Sequence, residues 1–311
     1  MTATGNIVRF LLGAALVAAL SLTVILAADL GRDGDGDLAG APTLTPRVLP
    51  AAAEPSPEAS PTLSTTPITQ PFELPILMYH HVAPALPADE FEARLTVTTG
   101  DLEAQLSYLQ CAGYTGITLA RLFDAIDGRA ALPTNPVILS FDDGYADAFS
   151  DAFPLLQRHG VPGSFAIVTG FIGSGDLYMT WDQVRALAGS GMEIMSHTIS
   201  HVDLGTSDDE TVRDQLATSK ATLEQQTGRA VPFFVYPSGE PFRSGSEERQ
   251  QQVVALLREA GYRGALLAGP NSVTQDPATP FALSRVRVSG GEDVYTFAGS
   301  IGGPSPDSLS C

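Results

Sequence analysis

The chain has 311 residues, with 35 Asp and Glu against 17 Lys and Arg, a formal net charge of −18. That length holds one large domain or two small ones. The acidic balance argues against a nucleic-acid surface, which needs clustered Lys and Arg to displace counterions from phosphates.

Residues 1–28 read as a membrane anchor or signal segment. Phe10–Ala28 is an unbroken apolar stretch, close to the ~20 residues that a membrane-spanning helix needs. Arg9 precedes it, and Asp29, Asp33, Asp35 and Asp37 follow. The positive-inside rule then places the rest of the chain outside the cytoplasm. A cleaved signal peptide is the competing reading, which would make the protein secreted. The length of the stretch, and the distance to the small residues Ala39-Gly40-Ala41, favour an uncleaved anchor. Residues 29–71 are rich in Pro, Ala, Ser and Thr and nearly free of aromatics. Such a segment buries too little apolar surface to offset its ordering entropy, so it is expected to be a spacer. The two cysteines, Cys111 and Cys311, can bridge in an exported protein, although nothing in the sequence requires it. Two cysteines are too few for a thiolate zinc site.

Residues 72–311 alternate between strand-like and helix-like segments. The apolar runs are LPILMYHHV, GITL, PVILSF, SFAIV, MEIMSH, PFFVYP, GALLA and SRVRV. Between them, Leu102, Leu106 and Leu109 have helical spacing, with Gly113 as a stop. The segment behind Gly144, from Ala146 to Gly160, also reads as helical. Ser207 and Glu210 have capping-box spacing at the start of a helix that should end at Gly228. A further helix from Ser246 should stop at Gly261. Alternation of this kind predicts an α/β domain with a largely parallel sheet, and seven or eight units suit a barrel better than a small open sheet.

The polar residues gather at the ends of the predicted strands. Asp142 and Asp143 end PVILSF, His197 ends MEIMS, and His80 and His81 end PILMY. Tyr236, Pro237, Ser238 and Gly239 end PFFV. In a parallel barrel all these ends meet at one face, where active sites sit. Adjacent carboxylates repel and are costly to bury without a cation or a proton, though an Asp pair also serves simply as a turn and helix cap. His197 and His201 lie four apart in a stretch that reads as a turn, because it leaves a strand and contains Thr198 and Ile199. Two imidazoles and one carboxylate make a three-ligand metal site with an open position, and the second carboxylate of the pair stays free as a base. The plain alternative is a pair of solvated loop histidines. His159 is explained as a residue at a helix C-terminus.

Taken in order, SFDDGY, SHTISH and FVYPSG resemble the signature blocks of polysaccharide deacetylases with the NodB homology domain. MYHHV resembles the subgroup that includes poly-N-acetylglucosamine deacetylases. The resemblance spans roughly residues 74–301. It implies a distorted (β/α) barrel with fewer than eight complete units. It also implies a divalent metal ion, usually zinc, on Asp143, His197 and His201, with Asp142 as catalytic base and His80 as general acid. The backbone N–H of Ser238 is then expected to face the oxyanion, with Tyr236, Pro237 and Tyr145 around the sugar. The implied reaction is removal of N-acetyl groups from amino sugars of a cell-envelope or extracellular polysaccharide. An O-acetyl esterase and a non-catalytic glycan-binding module on the same fold are the alternatives. Many members carry an Arg before the Pro-aromatic-Gly turn, where this chain has Phe233 and Phe234. Arg285 or Arg287 is expected to support the base instead, against a reading of both as ordinary surface charge. Tyr145 and Trp181 are either sugar-stacking residues or partly buried structure.

Overall fold

The computed structural model describes residues 66–311. The predicted anchor at Phe10–Ala28 lies outside them, and no helix among the described residues is long and apolar enough to cross a membrane. Seven parallel strands form the centre: β1 (Ile76–Tyr79), β2 (Pro136–Phe141), β3 (Gly163–Ile167), β4 (Glu193–Ser196), β5 (Phe233–Val235), β6 (Gly264–Pro270) and β7 (Leu283–Arg287). Each pairs with its neighbour in sequence, and β7 returns to β1 to close a barrel. The closure is irregular. The β4–β5 contact is a single register pair, Ser196↔Phe234, and the β6–β7 register slips between Leu266 and Pro270. The GITL run contributes only Thr115–Gly116, paired with the start of β2.

Alternation along each strand sorts the side chains into two sets. Ile76, Ile138, Ala166, Met195, Phe233, Val235, Leu266 and Leu283 share one cluster, the barrel interior. Helix α3 (Leu119–Ile126) adds Leu119, Leu122 and Phe123 to that cluster. Its N-terminal amides bond Glu193 at the start of β4, so α3 plugs the end of the barrel where the strands begin. The opposite parity faces the helices. Leu77, Tyr79, Leu139, Phe141, Phe165 and Ile167 pack with Leu102, Leu106 and Leu109 of α2 (Thr99–Cys111). Phe234, Tyr236 and Ala265 pack with residues of α6 (Asp209–Thr227) and α7 (Glu247–Glu259). Each large side chain so buried contributes about 1.5–3 kcal/mol.

Helix boundaries follow local chemistry, with one correction. Helix α6 is capped by Asp208, whose carboxylate accepts from the Thr211 N–H at 2.8 Å, and not by Ser207. The Ser207 hydroxyl is already used, donating to the Asp203 carbonyl. Gly228 ends the helix at φ 66°, a conformation that suits glycine. The helix predicted behind Gly144 starts as a π turn at Ala148–Ala152 and continues as α4 (Phe153–His159). Cys111, the last residue of α2, is disulfide-bonded to Cys311, with Cα atoms 5.9 Å apart.

Candidate active site

The strand C-termini open into a cavity of about 600 Å³ bordered by His80, Asp142, Asp143, Tyr145, His197, His201 and Ser238. Strand alternation explains most of this set. His80 has the parity of Ile76 and Met78, so it continues the interior row of β1. His81 has the opposite parity, joins a short strand pair with Thr96–Thr98, and is buried beside Asp147 at 2.6 Å. Asp142 follows Ile138 and Ser140 on the interior row of β2. Strict alternation would then send Asp143 outward. Asp143 instead takes φ 71°, a left-handed conformation that turns its carboxylate into the same mouth. Such a backbone costs energy in a non-glycine residue and persists where its surroundings over-determine it.

Asp143 Oδ1 lies 3.3 Å from His197 Nε2 and 3.4 Å from His201 Nε2. The three ligand atoms all lie within 4.8 Å of one another. The segment from His197 to His201 is a turn, with Thr198 at φ 69° and His201 at φ 55°. It is held from two sides. Gln215 of α6 accepts from the Ile199 and Ser200 amides, and Gly170 donates to the Ile199 carbonyl. A side chain at Gly170 would meet that carbonyl at 2.5 Å, so the close approach requires glycine. His197 Nδ1 is 2.7 Å from the Val235 carbonyl. A carbonyl only accepts, so Nδ1 carries the proton and the Nε2 lone pair faces Asp143 and His201. Asp143 Oδ1 is buried and has no hydrogen-bond donor. An orphaned carboxylate oxygen against two imidazole nitrogens fits a divalent cation.

The second carboxylate has a different partner. Arg285 on β7 grips Asp142 with both guanidinium nitrogens, at 2.7 and 2.8 Å. Its Nε donates to the Leu267 carbonyl, and a terminal nitrogen donates to Ser140 Oγ. Arg285 is fully buried. Of Arg285 and Arg287, the first therefore holds Asp142, while the second borders the cavity. Phe233 fills the barrel interior and Phe234 the outer helical layer, so neither stands in for an Arg.

Burial works against ionisation of Asp142, but the charge and hydrogen bonds of Arg285 hold its carboxyl below the usual range. Burial also opposes Asp143, and His197 with its neighbouring imidazoles overcomes it, again lowering the pKa. His80 is lowered, chiefly by burial and only partly offset by Asp142 and Asp143. For His197, burial is outweighed by its contacts with the two carboxylates, and the pKa rises.

The turn after β5 places Ser238 at φ 55° on the cavity wall. Tyr236 also borders the cavity, but its ring is packed into the outer helical layer and its hydroxyl donates to the Phe281 carbonyl at 3.0 Å. Pro237 is buried and is not among the bordering residues. The ring of Tyr145 stacks on His81 at 3.6 Å and on Tyr178 at 5.3 Å. Trp181 starts α5 (Trp181–Gly189) and packs against the outer core, away from the mouth. Sequence reading missed Asp147, Gln215, Arg94 and Arg243. None carries a local motif: Asp147 and Gln215 matter through partners distant in the chain, and Arg94 and Arg243 through their place on the cavity wall.

The comparisons with known proteins agree with this geometry. A family model described as polysaccharide deacetylase matches residues 129–265, which contain both carboxylates, both turn histidines and Ser238. His80 and Arg285 fall outside that span. YxkH of Bacillus subtilis (strain 168), a polysaccharide deacetylase by name, is 26% identical over 229 residues, 74% of this chain and 76% of its own. The poly-beta-1,6-N-acetyl-D-glucosamine N-deacetylase of Escherichia coli (strain K12) is 31% identical over 137 residues. That match covers 39% of this chain and only 20% of the Escherichia coli protein. Among solved structures, the polysaccharide deacetylase BC0361 from Bacillus cereus is 25% identical with a TM-score of 0.63, covering 74% of this chain and 69% of its own. Over residues 129–265 the chain matches the polysaccharide deacetylase family, and Asp142, Asp143, His197 and His201 from that span gather at one barrel mouth.

Proposed function

We propose that this protein is a metal-dependent hydrolase that removes N-acetyl groups from amino sugars of a cell-envelope or extracellular polysaccharide. The observation that carries the reading is the split of one Asp pair into two environments. Asp143 faces two imidazoles with an orphaned oxygen, and Asp142 is held ionised by Arg285. Two carboxylates with separate environments take separate roles.

A divalent ion on Asp143, His197 and His201, zinc by the character of the donors, supplies polarisation of the acetyl carbonyl and acidification of water. Arg285 uses one lone pair of each Asp142 oxygen, which leaves the others free to accept a proton. Asp142 takes that proton as the water oxygen bonds to the acetyl carbon. The N–H of Ser238, which borders the same cavity, is the donor for the developing oxyanion. His80 then protonates the amide nitrogen as the C–N bond breaks, because an amine anion does not leave. The products are acetate and a free amino sugar.

The name of the Escherichia coli relative supports an N-acetylated glucosamine polymer as the substrate class. The apolar N-terminal stretch, Arg9 before it and a disulfide in the folded part support a membrane-anchored protein with its catalytic domain outside the cytoplasm. The test is acetate release from a panel of N-acetylated and O-acetylated oligosaccharides, with and without a chelator. Chelator-sensitive release from the N-acetylated members is expected. Release confined to the O-acetylated members would instead make the protein an esterase, and release that ignores the chelator would remove the metal from the mechanism.

A further inference from the structure

The cavity mouth carries charge of the opposite sign to the protein as a whole. Arg94 on α1 (Glu90–Leu95), Arg243 in the loop after the Ser238 turn, and Arg287 at the end of β7 all border the cavity that holds Asp142 and Asp143. They come from three separate elements. In a chain with 35 acidic residues, a carboxylate is a common neighbour for an arginine. Arg129, Arg158, Arg185, Arg213, Arg249, Arg263 and Arg285 each have one. Among the described residues, the side chains of Arg94, Arg243 and Arg287 have neither an ion pair nor a hydrogen bond; Arg229 and Arg258 share that state, but only the first three border one cavity.

The two carboxylates of the cavity answer this charge only in part. Asp142 is already matched by Arg285, and Asp143 faces two imidazoles. Four guanidiniums therefore stand around two acids before any metal ion is counted. Arg287 is half buried, and burial, with Arg285 and Arg243 as like-charged neighbours, disfavours its charged form despite a partial offset from Asp142 and Asp143. Like charges held together and left unmatched cost stability, and a site tolerates that cost where a ligand supplies the counter-charge.

We propose that the glycan recognised here carries an anionic substituent, a carboxylate or a phosphodiester, beside the N-acetylated sugar, and that Arg94, Arg243 and Arg287 receive it. This rests on the deacetylase reading above. Guanidinium forks match carboxylate and phosphate oxygens bidentately, and both anions share this chemistry. The same arginines disfavour a polymer that has already been deacetylated, because each turnover leaves an ammonium group. A neutral homopolymer of N-acetylglucosamine would become steadily less welcome as it reacted, whereas an acidic heteropolymer keeps its counter-charge.

The experiment compares kcat/KM of the metal-loaded full-length protein on three oligosaccharides of equal length. One is a neutral N-acetylglucosamine oligomer, one alternates N-acetylglucosamine with a uronic acid, and one carries phosphodiester substituents. At low salt an anionic substrate should be favoured about tenfold, and the advantage should shrink as salt screens it. The preferred arm identifies carboxylate or phosphodiester as the source. Arg243→Glu and Arg287→Ala should each bring the anionic-to-neutral ratio towards one, a change that loss of folding alone would not produce. Equal kcat/KM on all three, unchanged by salt, would overturn the proposal. If no substrate releases acetate, the deacetylase reading fails, and the anion proposal is decided by direct binding: salt-sensitive binding of either anionic oligomer supports it and its absence overturns it.

Discussion

Arg285 and Asp142 are 143 residues apart in sequence and form a two-pronged ion pair inside the barrel, with N···O distances of 2.7 and 2.8 Å. The pair joins the last barrel strand to the end of the second, at the level where chemistry is expected. Both side chains are almost wholly removed from water. Such a pair roughly balances its own desolvation, so its value lies less in net stability than in fixing an ionised carboxylate in one orientation. Because the Asp142 pKa is depressed on folding, its contribution is present above the ordinary carboxyl pKa. It is lost as pH falls through the depressed value.

Removing the guanidinium leaves burial to act on Asp142 alone. Arg285→Ala should cost about 3–5 kcal/mol of stability, the usual result of orphaning a buried charge. In Arg285→Lys, which keeps the charge but not the fork, the acid limb of the pH profile of kcat/KM should move to higher pH as the base becomes harder to ionise. An unmoved acid limb in the Lys variant would detach Arg285 from the base.

The two carboxylates should separate cleanly by mutation. His197→Ala or His201→Ala should empty the metal site, measured by elemental analysis of dialysed protein, because two ligands seldom hold zinc well. Asp142→Asn should retain the metal and lose turnover. Full activity in that variant would end its role as the base.

His80 and His81 should also behave differently. His80→Ala should keep its metal and lose about 10²- to 10⁴-fold in rate, the range of a general acid. His81→Ala should lose far less rate. Its measurable effect should be about 1 kcal/mol of stability, from the lost contact with the part-buried Asp147 carboxylate.

A general acid must be protonated, so the rate falls as pH rises through the pKa of His80. Burial lowers that pKa, and a divalent cation nearby pushes in the same direction. The basic limb of kcat/KM should therefore begin below about 6.5, the ordinary value for histidine. A profile that stays flat to pH 8 in the wild type would remove His80 from the acid role.

The Cys111–Cys311 bridge ties Cys311 to the end of α2 across 200 residues of sequence. Opening it, by reductant or by Cys311→Ser, should cost about 2–4 kcal/mol, because a long loop regains its freedom in the unfolded state. Thermal melting with and without reductant measures this. Identical curves would mean that the bridge contributes nothing.

Much of this molecule was determined by local pattern. Apolar runs alternating with capped helices specify a parallel α/β barrel, and the charged and imidazole groups of the mouth stand out at strand ends because the interior rows before them are mostly apolar. The Asp pair, the paired histidines and the Pro-Ser-Gly turn were visible for that reason. What the sequence left open were matters of direction and of distant partnership. Apolar residues occupy both parities of β1, so only the closed barrel decides that His80 points inward and His81 outward. Alternation alone would separate Asp142 from Asp143, and the left-handed backbone at Asp143, imposed by its surroundings, brings them to one mouth. Helix α6 is capped by Asp208 because Ser207 is already engaged in the preceding loop. Arg285 and Arg287 are equivalent as letters on one strand. Only closure of β7 against β1, with β2 alongside, places the first on Asp142 and leaves the second bordering the cavity, because ion pairing depends on a few ångströms that chain order does not encode.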